Sequence, residues 1–146
     1  ELKFDDKRLQ LMSWSQINEL ASEGHTIGAH GMTHLSLKNL QGEVLREEIV
    51  ASGDCIEDRV YKAVDWYAYA FGGIGNISAS AMQVIKERFS FCRAGVRGAN
   101  TTMTNPHAVL GDHVDLSAPL AYQHLTVEGG LDPIYKSKRK HLHSLL

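Results

Sequence analysis

Glu23-Gly24-His25-Thr26-Ile27-Gly28-Ala29-His30-Gly31-Met32-Thr33-His34 reads as the end of a helix, a short strand and a loop carrying two histidines. Upstream, Ser13 and Gln16 fit a capping box, and Ile17, Leu20 and Ala21 form an apolar helical face that stops at Gly24, a natural residue just past a helix end. Thr26 to Ala29 is short, small and apolar, and suits a strand. In an α/β protein, ligand groups gather just past the C-terminal ends of strands, which is where His30 and His34 fall. If that segment makes one helical turn, their spacing of four puts both rings on one side, with Cβ atoms about 6 Å apart. Such a pair suits a metal. Eight histidines in 146 residues give roughly 0.4 such pairs by chance, so the helix and strand before the pair carry the argument.

The stretch EGHTIGAHGMTHLSL resembles the second motif of the polysaccharide deacetylases, the NodB homology domain of carbohydrate esterase family four. There a Gly-His-Glu-Ile-Gly strand leads into His-Ser/Thr-x-x-His, whose histidines bind a divalent metal. The resemblance implies that role for His30 and His34. Thr26 replaces the usual glutamate, Gly31 the usual Ser or Thr, and Leu35 a frequent proline; none of these removes a ligand. Tyr67 to Gly72 is similar to the family's third motif, Phe-Ala-Tyr-Pro-Phe-Gly, and implies that Phe71 and Gly72 lie at the active-site rim. Ala70 replaces the proline, and Ala68 stands where many members carry an arginine that holds the catalytic aspartate. Arg93 or Arg97, at the end of the next strand, is the candidate to supply that charge, and Arg93 is placed at the rim.

Phe4-Asp5-Asp6 is similar to the family's first motif, Thr-Phe-Asp-Asp-Gly, in which the first aspartate is the base and the second the third metal ligand. Lys7 replaces the glycine, and only three residues precede Asp5, too few for the strand that presents the pair. A right-handed β-α-β unit could bring Asp6 beside His30, but the segment is read as a decoy, a polar linker leading to the Ser13 cap. The third ligand is then Asp6 or a carboxylate outside this chain. The family's last motif, which supplies the general acid, is not found: His107, His113, His124, His141 and His143 lack the apolar strand it needs. The resemblance covers about residues 10–125, as if from the middle of a deacetylase domain. No useful turnover is expected from the chain by itself.

The fold expected is one single, incomplete α/β domain over residues 1–146, part of an irregular (β/α) barrel with parallel strands and outer helices. Gly42 opens a helix through about Val60, with Leu45, Ile49, Ile56 and Val60 inward and Gly53 interrupting it at a cost of about 1 kcal/mol. Its charges, Glu43, Arg46, Glu47, Glu48, Glu57, Asp58 and Arg59, read as a solvated face. Strands are expected at Trp66–Phe71 and Ser90–Arg93, with short ones at Val109–Leu110 and Val114–Leu116. A helix capped by Ser78 turns Met82, Val84, Ile85 and Phe89 inward. Asp132-Pro133 starts a last helix to about Leu145, whose Lys136, Lys138, Arg139, Lys140 and His141 read as solvated.

The loop Gly72–Asn76 lacks both the Walker lysine and the dinucleotide fingerprint, so phosphate binding is disfavoured. A hydrophobic share of 43% and a net charge of −2 describe an ordinary soluble globular protein with no nucleic-acid partner implied. No run suits a transmembrane helix, and no signal peptide is seen at Glu1-Leu2-Lys3. Cys55 and Cys92 have neither metal nor redox spacing and read as reduced thiols. The function expected is metal-dependent removal of N- or O-acetyl groups from a polysaccharide or related sugar, with zinc as the default ion. The rival is a carbohydrate-binding or structural domain that kept the scaffold and lost the chemistry.

Overall fold

The computed structural model describes residues 11–146; Phe4-Asp5-Asp6 lies outside them. Helix α1 (Trp14–Ser22) starts at the expected capping box: the Gln16 N–H donates to Ser13 Oγ at 3.3 Å, and the Ser13 N–H donates to Gln16 Oε1 at 2.8 Å. Gly24 turns the chain with φ +93°. It then runs to Ala29, which makes a single parallel rung against Tyr67: the Ala29 N–H donates to Trp66 O at 2.8 Å and the Ala68 N–H donates to Ala29 O at 2.9 Å. The strand expected at Thr26–Ala29 is therefore reduced to one paired residue.

Strands β1 (Trp66–Ala68) and β2 (Phe91–Arg93) pair in parallel, Trp66 opposite Phe91, Tyr67 opposite Cys92 and Ala68 opposite Arg93. Val109 adds a rung beyond Arg93. The strip thus runs Ala29, β1, β2, Val109, with spatial order following sequence order as consecutive β-α units require. Side chains alternate across it. Ala29, Tyr67 and Cys92 form one row, all buried at 2% exposure or less. The other face carries Trp66 stacked on Phe91 at 4.6 Å, then Ala68 and Arg93. His30, one residue past Ala29, falls beside that last row.

The expected strand at Val109–Leu110 is likewise reduced to the single Val109 rung, and two others are shorter or absent for local causes. The strand at Trp66 ends at Ala68 because the chain turns over Tyr69 to Gly73, with the Gly72 N–H donating to Tyr69 O and left-handed φ at Phe71 (+65°) and Gly72 (+59°). At Val114–Leu116, the Asp115 carboxylate accepts from the Ser117 N–H at 2.9 Å and Oγ at 2.6 Å, which makes a turn in place of a strand. A helix not foreseen, α5 (Leu120–Val127), follows Pro119.

The long helix runs from Gly42 to Val60 as α2 (Gly42–Arg46), a π-helical turn (Glu47–Ala51) and α3 (Ser52–Val60). Gly53 does not interrupt it. A Cβ there would lie 2.8 Å from the Phe89 ring, so glycine is what lets Phe89, at the end of α4 (Ala79–Arg88), pack against the helix. Leu45, Ile49 and Val60 are buried as the stripe predicts, as are Met82, Val84, Ile85 and Phe89. The solvated-face expectation fails at two glutamates. Glu48 is buried at 4% exposure, and Glu57 accepts from the Val64 N–H at 2.7 Å and pairs with Arg88 at 3.0 Å. On the last helix, a 3-10 turn (Asp132–Tyr135) leads into α6 (Lys136–Ser144). There Arg139 turns inward and donates to the Arg97 carbonyl at 2.8 Å and the Asp132 carbonyl at 2.9 Å. Among the described residues, no helix is long and apolar enough to cross a membrane.

Two outcomes follow from this packing. Gly53→Ala gains helix propensity of about 1 kcal/mol but drives a methyl into the Phe89 ring, and overpacking costs more, about 1–3 kcal/mol. Urea unfolding should show a net loss of about 1 kcal/mol, and a gain would mean the ring has room to move. Burial pushes the Cys92 thiol up to about 12, whereas Cys55 is only partly buried. Native protein at pH 8 should therefore lose one thiol to a disulfide reagent and the second only on unfolding.

Candidate metal centre

His30 is fixed by a hydrogen bond across the strip. Its Nδ1 lies 2.6 Å from the Ala68 carbonyl. A carbonyl can only accept, so Nδ1 carries the proton and Nε2 keeps its lone pair, the tautomer a metal ligand needs. His34 reaches the same place by a different route from the expected helical turn. Residues 30–34 form an irregular loop, with Gly31 at φ +92° and His34 at φ +61°. The rings nonetheless meet, their centroids 5.0 Å apart at 64°.

The loop is held from outside by Glu48. One carboxylate oxygen accepts from the Thr33 N–H at 3.0 Å and the Leu35 N–H at 3.2 Å. The other accepts from Thr33 Oγ1 at 2.8 Å, and the Glu48 carbonyl accepts from the Met32 N–H at 3.1 Å. A π turn leaves a carbonyl outside the regular helical ladder, free for such use. Burial pushes the Glu48 carboxyl up, but the hydrogen bonds from Thr33, Leu35 and the His34 N–H outweigh it and hold the group below its ordinary value. Sequence reasoning missed this residue. Its signal was position: Glu48 sits three residues after Leu45 and beside Ile49, on the buried stripe of the helix.

Phe71 packs edge-on against His34, with centroids 4.7 Å apart at 67°, yet stays 62% exposed. Left-handed backbone at a bulky residue costs on the order of 1–3 kcal/mol and collects at functional sites. Gly72 explains how it is sustained. A Cβ on Gly72 would lie 3.0 Å from the Gly95 Cα, and the Gly95 N–H donates to Gly72 O at 2.9 Å, so two glycines lie back to back. The rest of Gly72–Asn76 is engaged within the fold: Asn76 accepts from Ser36 Oγ through its side chain at 3.0 Å and from the Leu37 N–H through its carbonyl at 2.9 Å.

Arg93 and His30 line the same cleft, of about 410 Å³, together with Gly28, Ala29, Trp66 and Ala68. Arg97 does not enter it, but pairs with Asp112 at 3.4 Å and lies over Tyr135. Among the described residues, no carboxylate pairs with Arg93, and no third His, Cys, Asp or Glu joins the two histidines to complete a metal-binding group. The donor set present, two neutral imidazoles with one tautomer fixed, fits a divalent ion that takes its remaining ligands from elsewhere. His107 is scaffold, its Nε2 2.8 Å from the Phe89 carbonyl.

The grip on the Thr33–Leu35 segment should respond to acid. The Glu48 carboxyl titrates in the folded protein below its ordinary value of 4.5, so its stabilisation is complete above that pH and disappears as pH falls through the lower folded value. The Thr33 and Leu35 amide resonances should titrate together with a midpoint below 4.5; a midpoint above it would contradict the assignment.

The family model described as polysaccharide deacetylase matches residues 4–87, which takes in Phe4-Asp5-Asp6 as well as both histidines. No curated protein matches the chain. Solved structures that share its fold include two polysaccharide deacetylases. The polysaccharide deacetylase BC0361 of Bacillus cereus is 22% identical at a TM-score of 0.59, over 71% of this chain and 32% of that one. BA0330 of Bacillus anthracis, assigned to the same class, is 20% identical at 0.62, over 80% of this chain and 36% of that one. The chain thus spans about a third of their length, and the parallel strip with its outer helices is part of the irregular (β/α) barrel that they have. With more than half of its residues inside the family match, the chain belongs to the polysaccharide deacetylase family.

Proposed function

We propose that the chain forms the histidine side of a metal-dependent hydrolase centre that removes N- or O-acetyl groups from a polysaccharide or related sugar, within a single domain. The observation that carries this is the pair of rings 5.0 Å apart at the C-terminal end of the strip, with the His30 tautomer fixed by Ala68. His30 and His34 would hold the ion, zinc being the default for two imidazoles and a carboxylate with positions left open. The chemistry a divalent ion supplies at such a site is polarisation of the acetyl carbonyl and a bound water ionisable near neutral pH.

The protein groups divide the remaining work. A carboxylate must complete the ligand set and another must take the proton of the attacking water. Asp6 and Asp5 are the candidates within the chain, supported by a family match that starts at residue 4. Arg93, in the cleft with His30, is placed to hold the base in its charged form or to meet negative charge developing on the acetyl oxygen. The exposed Phe71 ring beside His34 offers an apolar wall for a sugar face.

Two measurements test this. Zinc titration should show one equivalent bound with zinc–nitrogen distances of about 2.0–2.1 Å, lost in both His30→Ala and His34→Ala. Acetate release from N-acetylated chitooligosaccharide and from peptidoglycan should then be followed with zinc and with chelator. Release that chelator stops, and that Asp5→Asn or Asp6→Asn lowers about 10²–10⁴-fold, places the base and third ligand within the chain. Zinc binding without release favours the carbohydrate-binding alternative, and absence of zinc binding sinks the metal centre.

A further inference from the structure

We infer that Glu48 is a positioning residue for the histidine pair: by gripping the peptide groups on both sides of His34, its carboxylate sets the direction of the His34 ring. This rests on the metal-centre reading above. Thr33 and Leu35 flank His34 in sequence, and both donate their N–H groups to the same Glu48 oxygen, at 3.0 and 3.2 Å. Thr33 Oγ1 takes the second oxygen at 2.8 Å. With its neighbours clamped, His34 is held at φ +61°, a left-handed conformation uncommon for residues other than glycine.

The clamp has the marks of a dedicated fitting. Glu48 lies between Leu45 and Ser52 on the buried side of the helix, where an apolar side chain would pack without desolvating a charge. No cation of the described residues pairs with it; its charge is met by loop N–H and O–H groups. Gly31 makes room for it, since a Cβ there would lie 2.7 Å from Glu48 Oε1. The π turn Glu47–Ala51 places the side chain and the Glu48 carbonyl on the loop together, the carbonyl taking the Met32 N–H. Four consecutive loop residues, Met32 to Leu35, are thereby tied to one helical residue.

The test uses the 146-residue chain and two readouts, one of them free of metal. In Glu48→Gln, an amide that presents one acceptor where two are needed, the proton–proton contact between the His30 and His34 rings seen by NMR without metal should vanish. The zinc dissociation constant should rise about 10–100-fold, the usual effect of disturbing a ligand's support. In a His34→Ala background, read with copper(II) for its tighter binding, Glu48→Gln should cause no further loss. An equal loss in both backgrounds overturns the positioning role, because a general structural defect would weaken both alike. A ring contact retained in folded Glu48→Gln overturns it whatever the metal does. If His30→Ala and His34→Ala bind zinc like the parent, the metal reading fails separately. Should Glu48→Gln not fold, Thr33→Val removes the hydroxyl bond alone and should weaken zinc several-fold; unchanged affinity and ring contact there overturn the inference.

Discussion

The hydrogen bonds between the Glu48 carboxylate and the peptide groups of Thr33 and Leu35 connect the two parts of the molecule that matter most, the long helix and the loop carrying the histidines. A buried charge without a counter-ion is tolerable only when its lone pairs are met. Here they are met by donors that would otherwise be unpaired, because an irregular loop has no ladder of its own. Each side removes the other's desolvation penalty. Helix and loop are therefore interdependent, and the helical irregularity at Glu47–Ala51 belongs to the loop's architecture as much as to the helix's.

The parallel strip supplies the second anchor. Ala29, Tyr67 and Cys92 lie in one buried row, so period-two alternation forces His30 into register with Ala68 and Arg93 on the opposite face. The carbonyl of Ala68 is then within reach of the His30 ring. Nothing about the His30 side chain needs to be tuned separately, since its tautomer follows from strand pairing. The two histidines are thus fixed by different means, one by sheet register and the other by a side-chain clamp, and they converge because both anchors rest on the core formed by Ile49, Tyr67, Met82 and Ile85.

The parts of this arrangement that sequence revealed are those with local causes. The capping box at Ser13, the glycine stop at Gly24 and the apolar stripe of the long helix are set by neighbours within a few residues. The histidine spacing pointed to the pair, and the resemblance pointed to the family. Spacing of four suggests a helical turn between the rings, whereas Gly31 and His34 take left-handed backbone in a loop whose hydrogen-bond partner, Glu48, is distant in the chain. At Glu48 the charge points to surface while its place on the Leu45–Ile49 stripe points inward, and the loop N–H groups that decide between them are distant in the sequence. Strand ends were overestimated where β-propensity in Tyr69 to Phe71 lost to a turn. Helix α5 went unnoticed behind Pro119 because its apolar residues, such as Leu120 and Val127, are exposed and follow no inward stripe.

The back-to-back glycines at 72 and 95 bind the ends of β1 and β2 so closely that neither loop has slack. Phe71 precedes one glycine, and Arg93 stands two residues before the other. The Phe71 ring beside His34 and the Arg93 side of the cleft consequently ride on one frame. Lengthening either loop would shift the Phe71 ring and Arg93 together, so a lineage that altered its ligand preference here would have to do so by exchanging side chains on a fixed frame.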